Sequence, residues 1–95
     1  MKAIPLLRER VVFPDRGMVE MLAWRVPSPV PPSQHRFKYS LVYIVGGQRL
    51  LGYDNERGKG DHRHYRGQEE PFVFISIDAL VERFIEDVEA LRRQQ

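Results

Sequence analysis

Two histidines one residue apart, His62-x-His64, stand in a stretch crowded with ionisable groups. From Tyr53 to Arg66, seven of fourteen residues are charged: Asp54, Glu56, Arg57, Lys59, Asp61, Arg63 and Arg66. Three chemistries are open to such a set. In extended chain, residues i and i+2 project to the same side, so two imidazoles could share an ion, with Asp54 or Asp61 completing the site. A second chemistry is phosphate handling. Gly58-Lys59-Gly60 lets backbone N–H groups and an ammonium approach an anion closely, and Arg57, Arg63 and Arg66 add donors. The spacing is not that of a P-loop, so no ATP site is implied. With RNA held there, an imidazole titrating near neutral pH could take the 2′-hydroxyl proton while another group protonates the leaving oxygen. Tyr39, Tyr53 and Tyr65 would offer stacking, at about 1–3 kcal/mol per base. The third reading is structural: Asp54, Asn55 and Asp61 bond backbone groups in a tight loop, and the histidines fill sheet positions.

The elements that must position these groups are legible from period and punctuation. Residues 6–13 and 18–26 are apolar and rich in Val and Leu, with the turn residues Pro14-Asp15-Arg16-Gly17 between them, which predicts a β-hairpin. Four prolines between Pro27 and Pro32 cannot join a sheet interior and predict a stiff, extended connector. Over 35–45, Phe37, Tyr39, Leu41, Tyr43 and Val45 share one face by the period of two. Gly46-Gly47 is a two-residue hairpin turn and returns the chain as a strand over 48–54. A tight turn would set Tyr43 opposite Leu50 and Ser40 opposite Tyr53. The polar face of that hairpin would then carry Arg36, Lys38, Ser40, Arg49, Tyr53 and Asn55. After the charged connection, residues 71–76 (PFVFIS) predict another strand. Ser76 or Asp78 caps a helix whose stripe is Ile77, Leu80, Val81, Phe84, Val88 and Leu91. The expected fold is α+β: an antiparallel sheet of about five strands, in the order β-β-β-β-β-α, with one C-terminal helix packed on one face.

The 95-residue chain is expected to be a single domain, 1–95. It has no cysteine, which excludes disulfides and thiolate metal sites. No apolar run approaches the roughly 20 residues of a membrane span, and the N-terminus has too short an apolar segment for a secretory signal. A cytoplasmic protein is therefore expected. The formal charge of +2 divides into +4 over residues 1–76 and −2 over 77–95, a basic body that suits an anionic partner such as nucleic acid.

The run YSLVYIVGGQRLLGYDNERGKGDHRH, followed by EEPFVF and a helix, resembles the TumE-type toxin family. Its pattern is a strand ending in Tyr-Asp-Asn, a Gly/Lys-containing turn, a His-rich strand and Pro-aromatic-x-Phe. The similarity covers about residues 6–92, more loosely before His35. The residues that match are Tyr53, Asp54, Asn55, Lys59, His62 and His64. The resemblance implies the toxin half of a type II toxin–antitoxin pair, with a small helix-turn-helix antitoxin encoded beside it. Together with the residue chemistry, it leads to an expected metal-independent ribonuclease with no cofactor. His62, His64 and Asp54 are the catalytic candidates, and Lys59, Arg57, Arg63, Tyr53 and Asn55 the RNA-binding ones. The alternative is a non-catalytic binding module that only docks its partner. An exposed strand edge makes a homodimer a further expectation.

Overall fold

The computed structural model describes residues 2–94. Six strands form one antiparallel meander: β1 Ile4–Val12, β2 Gly17–Arg25, β3 Phe37–Val45, β4 Gln48–Glu56, β5 Gly60–Tyr65 and β6 Gln68–Pro71. The helix α1, Ile77–Arg93, follows. The expected α+β architecture holds, with six strands where about five were expected. The difference lies in the charged connection, which is not a loop. It folds into β5 and β6, joined by tight turns at 57–59 and 66–67. Conversely, residues 72–76 are extended but outside the ladder. Their alternation is real, since Phe72 and Phe74 turn inward while Val73 and Ile75 are exposed. They lack a neighbour, because β5 begins at Gly60 and its last backbone bond to this segment is Phe72 N–H to Asp61 O at 3.1 Å.

The β3–β4 hairpin corrects an expected register. Gly46 and Gly47 both take positive φ, the mirror-image turn that matches strand twist. Val45 pairs with Gln48 and Ile44 with Arg49, as a tight turn requires, but Tyr43 then pairs with Leu51 and Ser40 with Asp54. Leu50 is the extra residue of a β-bulge, and one extra residue exchanges the two faces of everything beyond it. Tyr53 and Asn55, expected on the polar face, are fully buried on the helix side of the sheet, and Asp54 emerges on the other side.

Ser76 caps α1: its Oγ accepts from Ala79 N–H at 3.0 Å. Asp78 in the first turn and Arg92 and Arg93 in the last complement the helix dipole. Leu80, Phe84, Val88 and Leu91 join Val19, Ala23, Tyr39, Leu41, Tyr43, Leu51 and Tyr53 in the buried core. Each buried Val, Leu or Phe among them contributes about 1.5–3 kcal/mol of transfer free energy. Phe84 and Phe72 both meet the Tyr53 ring edge-on, at 6.2 and 4.9 Å between centroids. The helix backbone comes nearest to β4, so it covers one part of one sheet face and leaves the opposite face open. The proline-rich connector, expected to be extended, instead turns at Pro31-Pro32, where Ser33 N–H bonds Val30 O at 2.9 Å, and presses on the β4–β5 turn: Pro31 O accepts from Gly58 N–H at 2.8 Å.

Candidate functional site on the open sheet face

The open face presents two neighbouring rows of side chains. One runs Leu22, Ser40, Asp54, His62, Pro71 and the other Glu20, Val42, Gly52, His64, Glu69. Asp54, His62 and His64 are therefore brought together by strand pairing alone, and Glu69 joins them from β6. The two imidazoles pack edge-on with centroids 4.8 Å apart.

His62 is nearly sealed, at 3% exposure. Its Nδ1 lies 2.9 Å from Gly60 O, and because a carbonyl only accepts, Nδ1 carries the proton. In the neutral ring the lone pair of Nε2 then faces Asp54 Oδ1 at 2.5 Å. The two atoms make no hydrogen bond to each other. Among the described residues, these two are the buried side-chain atoms left without one. Two acceptors this close require a proton or a cation between them. Glu69 closes the cluster, with its carboxylate oxygens 3.8 Å from His62 Nε2 and 3.8 Å from His64 Nδ1.

His64 is the more accessible ring, half-buried at the rim. Burial first, and then the Arg49 guanidinium, hold its pKa below the ordinary value of 6.5, against the opposing pull of Asp54 and Glu69. The guanidinium reaches it because Gly52, opposite His64, has no side chain. A Cβ there would stand 3.3 Å from Arg49 Cδ. Lys59 reaches the cluster from the turn, with Nζ 3.7 Å from Glu69 Oε1. Arg57 is exposed at the tip of the same turn.

The remaining sequence-predicted binding residues lie on the other face. Arg63 binds Glu70 at 2.8 Å, Asp87 at 3.1 Å and the Tyr53 hydroxyl at 2.9 Å, bracing β5 against β6 and α1. The Tyr53 hydroxyl donates to Asp87. Burial, with the Asp87 carboxylate beside it, pushes the phenol up to about 12. Asn55 pins β4 to β3 where their ladder ends. Its Oδ1 accepts from Tyr39 N–H at 3.1 Å and its Nδ2 donates to Phe37 O at 2.7 Å. Tyr39 and Tyr53 are fully buried and cannot stack on bases. Asp61 is likewise committed away from the histidine pair, accepting from Ser33 Oγ, Tyr39 Oη and His35 Nε2 at 2.9, 2.6 and 2.7 Å. His35 is saturated, because its Nδ1 accepts from Phe37 N–H at 3.2 Å.

Sequence reasoning missed Glu69, since residues 68–70 were read as connection rather than strand. It placed Arg49 on the polar face without linking it to His64. The two-residue turn at Arg66-Gly67, both at positive φ, was the available signal for Glu69.

A protein-family model described as Toxin TumE matches residues 5–92. No curated protein and no solved structure matches the chain.

Proposed function

The chain belongs to the TumE toxin family, and from that premise we propose that it arrests growth by cleaving RNA at the open-face cluster, as the toxin of a type II pair acting in the cytoplasm. The observation that carries the reading is the convergence of Asp54, His62 and His64 on one accessible sheet face. His64, with its lowered pKa, is neutral at pH 7 and takes the proton of the 2′-hydroxyl. The 2′-oxygen attacks phosphorus, the 5′-oxygen leaves, and the Lys59 ammonium on the far side of Glu69 supplies its proton. The products are a 2′,3′-cyclic phosphate and a 5′-hydroxyl. Arg49 and Arg57 offer guanidinium groups to the phosphate. His62, too buried to touch RNA, is a positioning residue whose edge supports His64, held in turn by Gly60 O and, in this metal-free reading, by a proton lying between its Nε2 and Asp54.

A second reading is favoured by the unpartnered pair Asp54 Oδ1 and His62 Nε2. One donor atom each from Asp54, His62 and His64 lies within 4.8 Å of the others, a set suited to a divalent transition metal. Bonds of about 2.0–2.2 Å would draw His64 inward and part Asp54 from His62.

Purified protein incubated with total RNA in EDTA separates the readings. Cleavage that persists in EDTA and disappears in His64→Ala supports metal-free proton transfer. Cleavage abolished by EDTA and restored by one divalent ion transfers the site to the metal reading. Intact RNA under both conditions would leave a non-catalytic docking protein.

A further inference from the structure

The face that carries α1 is only partly covered. Six strands at about 4.8 Å spacing make a sheet roughly 24 Å across, and one helix about 10 Å wide covers less than half of it. Between α1 and β1–β2 runs an apolar trough in two stretches that share Ile85 and Glu89. The first, about 630 Å³, has Leu6, Leu7, Ile77, Val81 and Ile85 along it. The second, about 280 Å³, continues past Ile85 to Val11, Met21 and Val88.

Its rim is acidic. Asp78, Glu82, Glu86 and Glu89 line the helix side. Glu9 lies on the same sheet face as Leu7 and Val11 by the alternation of β1. Arg92 stands at the far end, but it is bound to Asp15 at 2.9 Å and lies over the Phe13 ring. The free charges that line the trough thus have one sign. They repel RNA, and they repel a second copy of this chain, which would set the acids of one helix against those of the other.

We propose that this trough is where the antitoxin docks, by laying a basic amphipathic helix alongside α1 and completing the helical layer. The 17 residues of α1 give a seat about 25 Å long. Apolar side chains at i, i+3, i+4 and i+7 of the incoming helix enter the trough, and its Lys and Arg meet the rim. The two faces then divide the partners: RNA at the histidine cluster, antitoxin behind it. The proposal uses the family's toxin character but not the ribonuclease reading, and its test contains no RNA.

The product of a neighbouring reading frame that neutralises the toxin on co-expression is purified and titrated against the toxin, with hydrogen exchange followed on both chains. The expected protection covers α1 and β1 of the toxin and a basic amphipathic helix of the antitoxin. The exposed-surface variants Glu82→Lys/Glu86→Lys and Ile85→Asp, checked for an unchanged circular dichroism spectrum, each weaken binding at least tenfold. His64→Ala binds as the parent does. Unchanged affinity in both trough variants, protection centred on β4–β6, or no complex at all would overturn the proposal. If the variants misfold, the exchange map of the parent complex decides alone.

Discussion

His64 is where burial, charge and access meet, and its titration is the most direct residue-level readout. Burial and the Arg49 charge lower its pKa, so the ring sheds its proton below pH 6.5 and is neutral through the physiological range. An imidazole NMR titration is expected to show a midpoint under 6.5. Arg49→Gln should move that midpoint upward, because a positive neighbour that disfavours the protonated ring is gone. The burial contribution stays, so the return is partial. If His64 acts as base, the cleavage rate climbs with pH along the same curve and levels off near neutrality. A midpoint above 6.5, or one indifferent to Arg49, contradicts the electrostatic assignment. Gly60 sets the other imidazole. It holds φ +78° beneath Pro32, where a Cβ would meet the ring Cγ at 3.0 Å, and its carbonyl fixes His62. Gly60→Ala is therefore expected to cost at least about 1–2 kcal/mol from the left-handed backbone alone. A denaturant midpoint equal to the parent's would refute that.

At the scale of elements, Arg63 shows how one residue step along β5 changes a role. His62 and His64 face out, while Arg63 faces the helix and ties Asp87 and Glu70 to Tyr53. Arg63→Ala leaves the largely buried Asp87 carboxylate with only the exposed Arg83, 3.7 Å away, as a cation, and a loss of about 1–3 kcal/mol is expected. A thermal melt checks this, with RNA cleavage per folded molecule expected to hold. A variant of parental stability that no longer acts on RNA would place Arg63 back among the substrate-binding groups. Much of this layout was legible in the sequence. The hairpins, the Ser76 cap and the helix stripe follow from period and turn chemistry, as does the shared side of His62 and His64. What was hidden is a matter of parity. The bulge at Leu50 leaves no compositional trace, yet it exchanges Tyr53 and Asn55 with Asp54 between the faces. Residues 72–76 alternate like a strand because Phe72 and Phe74 pack inward, and only the length of β5 denies them a ladder. A dense run of charges looked like a loop because the polar and brace residues of two short strands are interleaved there.

For the whole molecule, the sheet separates two surfaces of different chemistry. One carries imidazoles, Arg49 and Lys59 around carboxylates; the other carries the helix, its acidic rim and the unfilled trough. No helix among the described residues is long and apolar enough to cross a membrane. The basic excess of the chain before the helix and the acidic excess within it become a division of space, with the helix's acids kept away from the face assigned to RNA. The decisive measurement is growth arrest in cells induced to express the folded His62→Ala/His64→Ala protein without antitoxin. Loss of toxicity at parental protein levels, with antitoxin binding intact, is the predicted result. Full toxicity from the doubly substituted protein would show that the imidazoles only fill the sheet and that the chain acts elsewhere.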